Sequence, residues 1–162
     1  NNEKANMSLI QYTKGDATAP LGTGTKIIVH ICNDIGGWGR GFVLALSKRW
    51  KAPEQRYKEW YQSGEDFELG QVQFVQVEED LWVANMIAQH KIRKDEKGNP
   101  PIRYRAVKQC LDLVGQKAQE LNASVHMPRI GCGLAGGKWS KIEPSIKESL
   151  LTRAIKVTVY DF

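Results

Sequence analysis

Cysteine is scarce in this 162-residue sequence: Cys32, Cys110 and Cys132 are odd in number, far apart and form no C-x-x-C pair. That argues against a disulfide framework and a zinc ribbon, and it suits a reducing, cytoplasmic setting. Metal-ligand spacing is missing too, with no H-E-x-x-H and no D-x-D cluster, so no metal is expected. No apolar run reaches the ~18 residues of a membrane helix, and a membrane partner is not expected. No secretory signal is visible, because Asn1–Asn6 is polar and the residues after it alternate. Residues 1–6 read as a disordered lead-in. Without repeats or low-complexity tracts, residues 7–162 read as one domain, long enough to bury a sizeable core. No Ser-His-Asp set is evident, and the Walker A pattern G-x-x-x-x-G-K-[ST] is absent.

Hydrophobic residues make up 41% and charged residues 25%, which is ordinary for a globular chain. The net charge of +5 fits an anionic ligand or weak nucleic-acid contact and proves neither. Much of it lies on expected helices and in loop 91–97, where a solvated face is the plain reading. No RNA-recognition signature and no interleaved aromatic–basic tract occurs, so nucleic acid is not an expected partner.

Glycine is plentiful, and the stretch Ser124–Trp139 concentrates it. Val125, Met127 and Ile130 give strand character, and Pro128 marks the strand's end because it cannot donate to a ladder. Gly131, Gly133, Gly136 and Gly137 follow, then a helix over about 139–150 with Ser140 or a neighbour as N-cap. Successive N–H groups backed by a helix start suit phosphate; a sharp turn without ligand fits equally well. Gly131, Gly133 and Gly136 satisfy G-x-G-x-x-G, but no βαβ half follows, which excludes a Rossmann site.

A second such loop occurs earlier. Lys26–Asn33 is a β-branched run that reads as a strand buried on both faces. Asn33–Gly41 follows, and helices are expected over 42–50 and 53–62, the latter with Pro53 in its first turn. Two loops of this kind suggest a ligand with more than one phosphate, or a phosphate and a sugar. Trp38 either caps local core or walls a pocket. Residues 7–13 read as a first strand, ended by Lys14–Asp16, where Asp16 caps a turn or holds a polar ligand group. Residues 71–77 and 80–89 read as a hairpin, 102–121 as a long amphipathic helix, and 154–160 as a last strand. The order β, β-α, β-β, α-β, α-β implies a three-layer α/β/α sandwich on a mixed sheet.

Asn33 and Asp34 are the polar side chains nearest the first loop, suited to orienting a ligand hydroxyl or a water. His90, at a strand end, is free to act, and with Asn33 and Asp34 completes the catalytic candidates. His30 and His126 lie inside strands and read as satisfied core residues. Cys132 is either a thiol of lowered pKa near a helix start or simply a small residue in a tight loop.

These loops, together with Lys14–Gly15–Asp16 and the last strand, resemble the macrodomain, the ADP-ribose-binding fold, over about Leu9–Phe162. Met127–Leu134 is similar to the phosphate loop of the terminal ADP-ribose glycohydrolase branch. Ile28–His30, Gly37–Gly41, Ala88–His90 and Ala123–His126 look more like the branch of the chromatin remodeller "amplified in liver cancer". The resemblance implies a monomer that takes ADP-ribose or an ADP-ribosylated protein, without a cofactor. Asp16, next to Ala17, would accept from the adenine amino group, and Tyr160 and Phe162 would lie near adenine. Gly37, Trp38, Gly39, Arg40 and Gly41 would border the diphosphate and distal ribose, with Asn33 approaching that ribose. Gly131, Cys132, Gly133 and Leu134 would give N–H groups to the diphosphate, flanked by Arg129 and Ala135. The glycohydrolase lysine and aspartate are replaced by Gln89 and Ala135, which can neither form a covalent lysine adduct nor relay a proton. The G-G-G-V loop of another branch is missing as well. A non-catalytic ADP-ribose reader is therefore expected; the alternative is a hydrolase of ADP-ribosyl esters or O-acetyl-ADP-ribose using a bound water.

Overall fold

The computed structural model describes residues 9–162; the expected lead-in, 1–6, and the first residues of the first expected strand lie outside them. Six strands form one sheet: β1 (Gln11–Lys14), β2 (Lys26–Asn33), β3 (Val72–Glu78), β4 (Leu81–Gln89), β5 (Ser124–Met127) and β6 (Val157–Asp161). Among the described residues four helices join them: α1 (Phe42–Arg49), α2 (Ala52–Ser63), α3 (Tyr104–Leu121) and α4 (Trp139–Ser149). The strand order is β1-β6-β5-β2-β4-β3. Only the β3–β4 hairpin pairs antiparallel; the other neighbours are parallel. No helix among the described residues is long and apolar enough to cross a membrane.

The β2 run explains the layering. Side chains alternate across a strand, so Ile27 and Val29 enter the core made with Val107, Leu111 and Val114 of α3 and Ile142 and Ile146 of α4. Ile28 and Cys32 enter a second core with Leu46 of α1, Tyr57 of α2 and Trp38. A strand buried on both faces between two helical layers is the expected sandwich.

The ends of several elements shift for local reasons. β5 stops at Met127 because Pro128 lacks an N–H, and Ile130 instead drops into the core from the loop, 2% exposed. Helix α3 begins two residues later than expected: Ile102 forms an isolated bridge with Gln89 and donates its N–H to the Ala135 carbonyl. The last strand begins at Val157, after a 3-10 turn (Leu151–Arg153) and Ala154 in the left-handed region. No side chain caps α4, so the expected Ser140 cap is not made; Lys138 is the N-cap.

One register positions the site. β5 lies directly beside β2, with Lys26 opposite Ser124 and Ile28 opposite His126. Both strands run the same way, so the loops that leave their carboxyl ends rise side by side. β6 and β1 follow on the same flank, bringing Tyr160 and Asp16 to the same rim. Ligands of open parallel sheets bind at that rim.

Candidate functional site

The first loop is built by Asn33. Its Oδ1 accepts from the N–H groups of Ile35 (3.1 Å) and Gly37 (2.9 Å), and its Nδ2 donates to the Gly37 carbonyl at 2.9 Å. The Tyr57 hydroxyl donates to the Asn33 carbonyl at 2.6 Å and lies 3.0 Å from Oδ1. Both ends of the amide are thus engaged in holding the turn, and Asn33 acts on the site through the loop's shape. Trp38 is 7% exposed. Its Nε1 donates to Ser47 Oγ at 2.8 Å, and its ring packs edge-on to His30 and against Tyr57. It caps the second core and also touches the cavity edge. The loop ends at Gly41, the α1 N-cap, with φ 78°; that left-handed conformation favours glycine.

The second loop closes on itself through Gly137 N–H to Gly131 carbonyl (2.7 Å) and Gly136 N–H to Gly133 carbonyl (3.0 Å). Among the described residues no hydrogen bond uses the N–H of Gly133, Leu134 or Ala135, nor that of Gly39, Arg40 or Gly41. The loops approach closely: a methyl group on Gly41 would stand 3.7 Å from Leu134 Cδ1.

Three cavities follow one another along this rim. The first, about 600 Å³, lies against Asp16, Ala17, Phe42, Arg49, Tyr160 and Phe162. The second, about 270 Å³, lies between the loops, bounded by Arg40, Gly41, Gly131, Gly133, Leu134 and Ala135. The third, about 350 Å³, is lined by Asn33, Gly37, Gly39, Gln89, Ile92 and Arg93 among others. The first and second share Gly41, Phe42 and Pro128; the second and third share Arg40, Gln89 and Leu134. The result is one trough of three chambers, with unpaired backbone donors in the middle, where a concavity of N–H groups favours an anion. A further cavity of about 350 Å³ opens at the other end of the strands, beside Thr23, Asn122 and Lys156, away from both glycine loops.

At the first chamber Asp16 Oδ1 accepts from the N–H (2.8 Å) and hydroxyl (2.7 Å) of Thr18, and Oδ2 faces Arg49 at 3.4 Å. The Thr18 hydroxyl foremost holds the carboxyl below its usual pKa, keeping it ionised as an acceptor. Tyr160 is buried, and its hydroxyl accepts from Leu21 N–H at 2.9 Å and meets His126 Nδ1 at 2.7 Å. Phe162 is fully exposed at the chamber's lip.

At the opposite end Asp34 Oδ2 meets His90 Nδ1 at 2.7 Å, and Oδ1 accepts from Lys91 N–H at 2.7 Å. Gln89 donates to the Lys91 carbonyl at 2.9 Å. Asp34 thereby fixes the turn after β4 and orients an exposed histidine.

Two expectations change in meaning. The Arg129 guanidinium does not face the trough: it makes a bidentate pair with Asp161, 2.6 and 3.0 Å, and stacks over Tyr12 and Trp139. Arg129 borders the second chamber but spends its charge elsewhere. The Cys132 thiol is pushed up by burial, only partly offset by Arg129, so a lowered thiol pKa is not seen and Cys132 serves as a small residue. His30 and His126 are buried, as expected. The sequence reading passed over Thr18, Arg49, Phe42 and Arg93. Phe42 was legible as the first residue after the glycine loop, whereas Arg93 was submerged in a charged run.

No family model matches the chain. A solved structure of a protein of unknown function from Bacteroides thetaiotaomicron is 66% identical, with TM-score 0.94, covering 95% of this chain and 98% of that one. A solved macrodomain protein from Streptomyces coelicolor is 54% identical, with TM-score 0.85, covering 95% of this chain and 99% of that one. The chain belongs to the macrodomain family. Among curated proteins, the mouse chromodomain-helicase-DNA-binding protein 1-like is 34% identical over 99% of this macrodomain. The macrodomain spans 18% of that relative's length and 15% of the zebrafish one. More distant are the Candida albicans ADP-ribose 1''-phosphate phosphatase, 25% identical over 86% of this chain and 93% of its own, and a Thermosipho africanus DarTG complex with ADP-ribose. The latter, at 17% identity, TM-score 0.70 and coverage of 84% and 38%, shares the fold alone.

Proposed function

We propose that this macrodomain binds ADP-ribose, free or attached to protein, along the three-chambered trough. The observation that carries this is the middle chamber: two glycine loops facing each other, with unpaired backbone donors on both sides. Adenine occupies the first chamber, with its amino group on Asp16 and its ring between Tyr160 and Phe162. The diphosphate takes the N–H groups of Gly133–Ala135 and Gly39–Gly41; the Cys132 N–H, expected to join them, already donates to the Arg129 carbonyl at 3.3 Å. The distal ribose lies in the third chamber beside Gly37 and Gln89. A family relative named for ADP-ribose 1''-phosphate and a same-fold complex with ADP-ribose support the reading.

Calorimetry with ADP-ribose tests it. Binding is expected with one site per chain, and Asp16→Ala is expected to weaken it by about 1–3 kcal/mol, because the adenine amino group loses its charged acceptor. No heat at millimolar ligand overturns the proposal.

Hydrolysis is the second reading, favoured by the Asp34–His90 pair next to the third chamber. An oriented imidazole with one exposed edge is the form of a general base for a water attacking an ester. Incubation with O-acetyl-ADP-ribose, followed by mass spectrometry, decides it: release above buffer that falls about a hundredfold in His90→Ala supports this reading, and no release removes it.

A further inference from the structure

We infer that the rim beyond the third chamber docks an acidic stretch of polypeptide flanking the ADP-ribosylated residue. This rests on the ADP-ribose reading above and adds the kind of protein that carries the group. Arg40 and Arg93 both line the third chamber, and no aspartate or glutamate does. Neither guanidinium has an ion pair or hydrogen bond among the described residues.

The loop after β4 extends the same charge. Residues 91–97 carry Lys91, Arg93, Lys94 and Lys97, all exposed. Against them stand Asp95 and Glu96, and Asp95 is turned into the loop: its oxygens accept from the N–H groups of Lys97 and Asn99 and from the Asn99 amide, at 2.9, 2.9 and 3.0 Å. Four cations face solvent with two carboxylates among them, Glu96 and Asp95, the latter held ionised by its Asn99 and Lys97 contacts, so residues 91–97 keep a positive excess. They sit on a fastened frame. His90 N–H donates to the Pro101 carbonyl at 2.8 Å, and Arg103 ties the carbonyls of Pro100, Pro101 and Ile102.

Charge complementarity identifies the occupant. A ligand of free ADP-ribose size ends at the third chamber, so cations beyond it address what the ribose is attached to. Arginine forks match carboxylates in two-point contact. The exposed apolar side chains that line this chamber are aliphatic, Ile92 44% and Leu134 62% exposed, while Trp38, which also lines it, is buried. These two offer contact to side-chain stems rather than a face on which bases stack, which favours polypeptide over nucleic acid.

The test uses three peptides that carry one ADP-ribosylated serine and differ only in flanks: Asp/Glu, Asn/Gln or Lys. Fluorescence anisotropy at low salt is expected to give acidic flanks about tenfold tighter binding than neutral ones, with the ratio shrinking as salt rises. In the Arg93→Glu, Lys94→Glu double variant the ratio falls to one or inverts; being a ratio within one protein, it is insensitive to a general loss of affinity. Acidic and neutral flanks binding alike, an unchanged ratio in the double variant, or an ADP-ribosylated oligonucleotide binding more tightly than the acidic peptide overturns the inference. Free ADP-ribose that binds without flank discrimination removes this inference alone; free ADP-ribose that does not bind removes the parent reading as well.

Discussion

Gly131→Ala is expected to lower the melting temperature by about 5–15 °C, the combined effect of left-handed strain and overpacking. Gly133→Ala, two positions along, is expected to leave it unchanged and to weaken ADP-ribose binding about tenfold. Gly131 has φ 73°, and a methyl group there would stand 2.3 Å from Ile102 Cδ1, 3.0 Å from Ile31 Cδ1 and 3.1 Å from Ile142 Cδ1. Ile102 and Ile142 are buried in the core, so their methyl ends or the loop must shift. At Gly133 nothing lies within 4 Å of an added methyl group, and φ is not in the left-handed region. The folded chain has no need of glycine there. A ligand in the middle chamber does, since backbone must approach phosphate closely. Thermal melts and calorimetry on the two variants separate the roles. Equal melting temperatures would show that the packing around Gly131 is not what holds the loop, and undiminished binding by Gly133→Ala would move the phosphates elsewhere.

Much of the architecture was legible because periodicity and chain breakers are local. The β2 run announced a strand covered on both faces, and Pro128 fixed where β5 stops. The glycines marked both loops. That these loops face one another across the carboxyl rim was expected from two strand–loop–helix units on one sheet, and β5 pairing directly beside β2 supplies the register that does it. Arg129 is different. Its sequence position two residues before Gly131 suggests a ligand contact, but parallel pairing of β1, β6 and β5 brings Asp161 and Tyr12 within its reach, and Trp139 at the start of α4 joins them. Asn33 was legible as polar and near the ligand, yet its amide is consumed by Gly37, four residues away, which a list of candidate catalytic groups does not anticipate.

Acid is expected to remove several kcal/mol of stability between pH 6.5 and 4, before the carboxylates titrate. His30 is buried beside Asn85, with Nε2 donating to Asn85 Oδ1 at 2.5 Å. Burial pushes its pKa down to about 4. His126 is likewise pushed down to about 4, by burial first and then by Lys26 and Lys156. Above pH 6.5 neither the folded nor the unfolded chain protonates these rings, and their contribution is fully present. As pH falls below 6.5 the unfolded chain takes up the protons while the folded one excludes them, until about pH 4. Each ring therefore costs roughly 3 kcal/mol across that window, to be set against a total stability of about 5–15 kcal/mol. Asp16, Glu54 and Asp112 have lowered folded pKa values. Their contribution is present above about pH 4 and is lost below it, so the windows are separate. Urea unfolding at pH 7, 5.5 and 4.5 measures the loss, and His30→Gln and His126→Gln are each expected to flatten the pH dependence by about half. A free energy that stays constant from pH 7 to 4.5 would sink the account. The same two rings underlie the site. His30 lines the middle chamber and packs on Trp38, and His126 meets the hydroxyl of Tyr160, which lines the first chamber. The folded rings stay neutral until about pH 4, so ADP-ribose affinity of the folded protein is expected to hold from pH 6.5 down to that point and to fall only where charging either ring disturbs the trough from beneath.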